Sequence, residues 1–419
     1  MGGAAAAMAP ATDDAELVRN FDLRALPPAF YEDPYPFFHA LRRHSPVHRL
    51  PDGSWFLTRH ADLFAIYRDT ATFSSDKKVE FTPKFGAGTP LLDHHTTSLI
   101  FNDPPLHTRV RRLITGALTP RAVAAMEEGV VSLVGGLLDR MEAAPDGRVD
   151  LIEEFAAAIP VEVIGNLLDV PRDERGPLRD WSLAILGALE PVPTAEALAW
   201  GNRAVTEFCD YLARLVADRR RRPGDPERDV LTRLIRGEAD GERLTEPELL
   251  QNCIFILNAG HETTTNLIGG ALWLLCLWPG ERARLLADEG DLMKSAVEEF
   301  LRYESSVQLG NRRALRACTV GGVDLPEGAL INLCIAGANR DPEVFPDPDR
   351  LDLGRKPNPH LGFAGGPHVC VGLAVARLEA RVALSMFLSR FPRYALDGEP
   401  ERDLRARFRG FRRLPARLH

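Results

Sequence analysis

The stretch 249–278 constrains this chain more than any other, because it is apolar enough to suggest a membrane span yet is broken near its middle by polar groups. Gln251, Asn252, Asn258, His261, Glu262 and a run of threonines do not belong in hydrocarbon, where an ionisable side chain at a helix centre costs roughly 3 kcal/mol. The stretch therefore reads as a helix buried in protein. Thr245 can cap it, Pro247 suits its first turn, and Glu248 stands three residues after the cap, as a capping box requires. From about residue 246 to 278 it runs roughly 45–50 Å at 1.5 Å per residue, enough to cross a whole domain. The rest of the chain must wrap around such a helix, and the polar residues at its centre need partners or a function.

The remainder reads as mainly α with small β-sheets. Nearly everything between residues 105 and 305 has helical periodicity, punctuated by Pro145-Asp146-Gly147, Pro171-Arg172-Asp173 and Pro223-Gly224-Asp225. Residues 47–50 and 54–57 flank Pro51-Asp52-Gly53 as a β-hairpin, and 318–335 form a second turn-rich patch. A chain of 419 residues can hold two average domains or one large one. Without a flexible linker or an internal repeat, one domain over 15–419 is expected, behind an Ala- and Gly-rich tail at 1–14 expected to be disordered. That tail has neither a basic n-region nor a long apolar core, so no signal peptide or membrane anchor is expected. The net charge of −8, from 51 basic and 59 acidic residues, gives no global field for nucleic acid or an anionic membrane. Six cysteines without CxxC spacing, several of them in apolar runs, fit a reducing compartment and a cytoplasmic location.

Three constellations carry chemistry. Residues 363–372 read Phe363-Ala364-Gly365-Gly366-Pro367-His368-Val369-Cys370-Val371-Gly372 and run straight into a helical pattern. A Gly-rich turn thus delivers Cys370 to a helix start, where free N–H groups and the helix dipole favour a thiolate. The residue is either a small buried hydrophobe or a soft anionic ligand on a shaped loop. In the long helix, Ala259-Gly260-His261-Glu262-Thr263-Thr264 sets an acid beside a hydroxyl amid apolar turns. These are either a satisfied polar pair in a helix interface or, if the threonine bonds back to a carbonyl and bends the helix, the wall of a space for dioxygen and water. Glu299 and Arg302, three apart on a helical segment, face the same side and can pair.

Together these segments resemble the cytochrome P-450 family, in the family's order from about residue 45 to the end of the chain. The resemblance implies that Cys370 ligates haem iron and pushes electron density toward oxygen to favour O–O cleavage. It places Phe363, His368 and Gly372 of the same loop, and Ala259 of the long helix, against the haem. Ala364 stands where the family usually has Gly, which bears on hydrogen bonding around the sulfur. Thr263 and Glu262 are implied to deliver protons. Glu299 and Arg302 are implied to form a buried charge network with Arg350, in the segment Pro348-Asp349-Arg350-Leu351, beneath the ligand loop. The segment from Asp103 to Arg111 points to His107 and Arg111 as partners of the haem propionates, and Arg312 aligns with a third.

The implied fold is a single haem domain, with haem b between the long helix and the Cys370 loop. The implied reaction inserts one oxygen atom of dioxygen into a lipophilic small molecule, the other leaving as water. NAD(P)H would act only indirectly, through a ferredoxin or flavodoxin and its reductase, docking on a face that can draw on Arg109, Arg112, Arg377 and Arg381. By the same resemblance the pocket is lined from 81–101 and 181–193, by Phe255 and Ala259, and by Val307, Gln308 and Leu309. Two rivals stand beside this reading. One is a peroxygenase driven by hydrogen peroxide, against which the presence of both Glu262 and Thr263 argues. The other is a non-catalytic haem sensor or binding protein, which needs neither proton relay nor electron donor. A monomer without nucleic-acid or membrane partners is expected.

Overall fold

The computed structural model describes residues 13–225, 230–237, 243–288 and 290–419. Residues 1–12 of the expected tail lie outside these. Asp13 and Asp14 fall within them: the Asp13 carboxylate accepts the Ala15 N–H and caps the helix Asp14–Arg19.

The central helix runs Glu246–Leu277. Its capping box is closed from both sides, with the Glu248 N–H donating to Thr245 Oγ1 at 3.4 Å and the Thr245 N–H donating to the Glu248 carboxylate at 2.9 Å. It ends at Trp278, where Pro279 starts the next helix, Pro279–Leu286. Leu257, Leu267, Leu272 and Leu275 are buried along it, and the helices Ala158–Leu167, Leu178–Gly187, Ala195–Arg221 and Leu373–Arg390 pack against it. Glycine sets the closeness of that packing: a Cβ on Gly260 would lie 2.6 Å from Ile164 Cδ1, and one on Gly269 would lie 2.5 Å from Ile152 Cδ1. Among the described residues no helix is long and apolar enough to cross a membrane.

The expected hairpin forms as Val47–Arg49 and Trp55–Leu57. It is extended into a five-stranded sheet by Leu330–Cys334, Leu309–Ala314 and Phe73–Ser74, in that order. The pairing of Trp55–Leu57 with Leu330–Cys334 is parallel and the other pairings are antiparallel. One strand inside the helical region, Arg148–Asp150, was not expected. It pairs with Pro415–Arg417, which in turn pairs with Ala395–Leu396, so a three-residue element with no visible periodicity anchors the C-terminus.

Beneath the ligand loop, Glu299 and Arg302 are both fully buried on the helix Leu292–Tyr303. Arg302 donates two bonds of 2.7 Å to the two Glu299 oxygens, the fork geometry that suits a carboxylate. The third member is not Arg350, whose exposed side chain contributes nothing and whose carbonyl alone accepts from Arg302. Arg355 takes that role, its Nε donating to Glu299 Oε1 at 3.1 Å. The Asp352 N–H and the Asn358 amide complete the carboxylate's bonds, and the carbonyls of Asn339 and Pro348 accept from Arg302. Every charge is thereby paired, the condition under which burying it is tolerable.

Candidate active site

The ligand loop is shaped by backbone that disfavours side chains. Gly366 has φ +61°, and a Cβ there would lie 2.1 Å from the Tyr67 carbonyl oxygen, so glycine alone fits. Ala364, where glycine is usual, also sits in the left-handed region at φ +57° and bears a cost of about 1 kcal/mol for it. The Cys370 N–H donates to the Phe363 carbonyl at 3.0 Å and closes the loop. Burial raises the Cys370 thiol, while the Gly372 backbone and the Arg111 and Arg377 guanidiniums favour its thiolate.

Cys370, Phe363, His368 and Gly372 line one side of a cavity of about 320 Å³. The central helix contributes Phe255, Ala259 and Thr263 to it, and the segment before the five-stranded sheet contributes Val307 and Leu309. Thr263 Oγ1 donates to the Ala259 carbonyl at 2.7 Å, the back-bond that opens a helix toward a ligand.

His107, Arg111, Arg312, His368 and a residue sequence reasoning did not single out, Lys77, line the same cavity. The His107 and His368 rings lie 3.9 Å apart. Burial, reinforced by Arg111, pulls His107 down to about 4. Burial, reinforced by Arg312 and then His107, pulls His368 down to about 2, so both rings are neutral donors at pH 7. His107 Nε2 is buried with no hydrogen-bond partner among the described residues. Lys77 is 1% exposed, with Glu80 at 3.1 Å. Nothing local distinguishes it from its solvated neighbour Lys78; only the tertiary fold turns it inward.

Arg111, Arg312 and Lys77 outnumber the carboxylates near them, Glu80 and Asp103, and Asp103 is already engaged by Ser74 and Ser75. The surplus of positive charge and an orphaned imidazole nitrogen fit the two propionates of a haem, whose iron the Cys370 sulfur would hold.

Other expected residues do not converge. Glu262 does not line the cavity; Arg405 donates to its Oε1 at 2.6 Å, and burial raises its carboxyl to about 7 against the pull of that arginine. Gln308 turns away as well, its amide donating to the Ser305 carbonyl and its backbone N–H to the Arg407 carbonyl. From 81–101 the cavity takes His94, His95 and Ser98–Phe101 but not Phe81, and from 181–193 it takes Leu186 and Leu189 but not Trp181. Of the arginines expected to face an electron donor, Arg109 pairs with Glu248, Arg377 with Glu298 and Arg381 with Glu127, which removes much of their field. His94 and His95 were covered only by the range 81–101, because their neighbours in sequence carry no metal or triad spacing, and Asn258 was named only as one of the polar residues of the central helix.

A half-buried cysteine and a helix threonine lining one cavity with a cationic side wall define a haem-thiolate protein. The cytochrome P450 family profile matches residues 194–415. The chain is 39% identical to the cytochrome P450 monooxygenase PikC of Streptomyces venezuelae, over 90% of this chain and 89% of that protein. It is 37% identical to a vitamin D(3) 25-hydroxylase of Pseudonocardia autotrophica, over 88% of each chain. The structure of P450BioI in complex with hexadec-9Z-enoic acid ligated acyl carrier protein superposes with a TM-score of 0.87 at 32% identity, covering 93% of this chain and all of that one. The chain belongs to the cytochrome P450 family, whose cofactor is haem and whose relatives here are monooxygenases and hydroxylases.

Proposed function

We propose that residues 15–419 form one haem domain that oxygenates a lipophilic small molecule in the cytoplasm, with electrons passed from NAD(P)H by a separate reductase and a ferredoxin or flavodoxin. The observation that carries this reading is that one cavity is lined both by the Cys370 loop and by Thr263. Haem, when bound, supplies the activation of dioxygen, leaving the chain to hold it, protonate it and keep bulk water out. Cys370 would give the iron a thiolate ligand, and His107, Arg111, Arg312 and Lys77 would hold the propionates. Thr263 Oγ1 would hand on a proton at the cavity face. Glu262, with a carboxyl raised to about 7, would hold a proton in reserve one residue behind it, turned toward Arg405. The mostly apolar lining, including Phe255, Ile256, Leu186 and Leu189, supports a lipophilic substrate.

The test is Cys370→Ser. The ferrous carbonyl complex of the wild type is expected to show a strongly red-shifted Soret band, and the variant to lose it, because a neutral alcohol cannot supply the same electron push. A band that survives in the variant overturns the assignment. Turnover with a ferredoxin, its reductase and NAD(P)H, compared with turnover on hydrogen peroxide alone, separates the monooxygenase from a peroxygenase, and absence of both leaves a haem-binding protein.

A further inference from the structure

Away from the propionate cations the cavity wall is mostly apolar, and three of its polar side chains cluster in one place. His94 and His95, on the helix Pro90–Thr97, and Asn258, on the central helix, are all buried and all line it. A chain of hydrogen bonds runs through two of them. Gln251 uses its amide nitrogen on Cys209 Sγ at 3.4 Å, so its oxygen faces His94 Nδ1, 2.9 Å away. An amide oxygen only accepts, which makes His94 Nδ1 the protonated nitrogen and leaves His94 Nε2 as an acceptor. Asn258 Nδ2 donates to that nitrogen at 3.5 Å. In this arrangement the Asn258 amide has Oδ1 on the other side, buried and without a hydrogen-bond partner among the described residues.

The His95 ring lies 4.9 Å from the His94 ring, tilted at 52° to it, and is caged by Phe81, Phe85 and Phe101 at 5.1–5.6 Å. Its Nε2 is likewise buried with no hydrogen-bond partner among the described residues. Burial, with His94, Lys84 and Arg407 adding to it, holds this imidazole neutral. The patch therefore offers an unpartnered acceptor, Asn258 Oδ1, and a neutral imidazole, His95, on one cavity wall. A buried polar group left unpaired is unfavourable, so a ligand that satisfies both gains over one that cannot.

We propose that His95 and Asn258 form a specificity site for a neutral hydroxyl group on the substrate, the hydroxyl donating to Asn258 Oδ1 and meeting His95. This rests on the monooxygenase reading above and narrows its substrate from any lipophile to an already oxygenated one. A cationic group is disfavoured by Arg407, which lines the cavity and acts on His95. Chemically, the reaction that supplies the substrate must itself leave a hydroxyl, as ketone reduction or an earlier hydroxylation does.

The experiment titrates ferric holoprotein with four matched pairs, each an alcohol and its deoxy analogue: a fatty alcohol, a sesquiterpene alcohol, a hydroxysteroid and a hydroxylated macrolactone. Binding is read from the Soret shift. The alcohol of the best-binding pair is expected to bind at least about tenfold more tightly than its analogue, or about 1.4 kcal/mol. Asn258→Leu is expected to bring that ratio near one while the deoxy analogue binds as well as before or better. His95→Phe, which the phenylalanine cage accommodates, is expected to reduce the ratio independently. Gln251→Met should weaken it less, by freeing the Asn258 amide to rotate. A ratio near one in the wild type, a ratio unchanged in both Asn258→Leu and His95→Phe, or no binding by any pair overturns the specificity site. Loss of the red-shifted carbonyl band in the wild type would instead sink the monooxygenase reading beneath it.

Discussion

At the scale of single residues, the ligand loop holds two left-handed positions that respond oppositely to substitution. Ala364→Gly relieves left-handed strain but adds freedom to the unfolded chain, so it is expected to be neutral or to stabilise the holoprotein by up to about 1 kcal/mol. Gly366→Ala clashes with the Tyr67 carbonyl, 2.1 Å from the added Cβ, and is expected to lower haem content sharply. Thermal melts and haem-to-protein absorbance ratios check both. Thr263→Ala should keep substrate binding but lose the hydroxyl at the cavity face. Product formed per NAD(P)H consumed is expected to fall by at least roughly tenfold, with the balance appearing as peroxide. Unchanged coupling would remove Thr263 from the proton path. Cys370, Thr263 and His107 were legible from their motifs, whereas Lys77 and His95 were not, and Asn258 was legible only as a polar residue in need of a partner. A lysine beside a lysine, a histidine beside a histidine and an asparagine in an apolar helix gain meaning only from what folds against them.

At the scale of elements, the helix Leu292–Tyr303 is tied to the segment leading into the ligand loop by the Glu299 network. Removing Glu299 leaves Arg302 and Arg355 buried without their anion, so Glu299→Ala is expected to destabilise by about 3–5 kcal/mol and to yield little holoprotein. The substitution of Arg350 provides the contrast. Its side chain is exposed, so Arg350→Ala is expected to stay within about 0.5 kcal/mol of wild type while Arg355→Ala does not. Equal effects in urea unfolding would return Arg350 to the network. The spacing of Glu299 and Arg302 on one helix face was readable because the period of 3.6 dictates it. The third member came from an irregular segment, where no period says which of two arginines turns inward.

At the scale of the whole molecule, the buried core makes one carboxyl a pH sensor of stability. Glu379, on the helix Leu373–Arg390, is 2% exposed, its Oε2 has no hydrogen-bond partner among the described residues, and burial alone pushes its carboxyl up to about 8. In the unfolded chain a glutamate ionises near 4.3. Between those values the folded state keeps a proton that the unfolded state has lost, so stability falls as pH rises and levels off above about 8. Glu379→Gln lacks this term. Relative to wild type it is expected to gain stability progressively from pH 5 to pH 8, by an amount on the order of 2–3 kcal/mol in chemical unfolding. Parallel curves across that range would show that Glu379 does not titrate there.

The sequence by itself determined the central helix, its capping box, the mainly helical class, the hairpin, and the motifs carrying Cys370, Thr263, Glu299 and Arg302. These are local: a cap, a period or a Gly-rich turn is stated by residues a few positions apart, and the chemistry follows from their order. The tertiary structure alone decided which side chains share the cavity. It turned Glu262 toward Arg405 and Gln308 toward Ser305, brought Lys77 in beside Glu80, and ran a hydrogen-bond chain from Cys209 to Asn258. Each of those contacts except Lys77–Glu80 and Gln308–Ser305 joins residues far apart in the chain, and even those two depend on which face the surrounding core leaves open. A buried polar atom must find its partner in space, so no local pattern can name it.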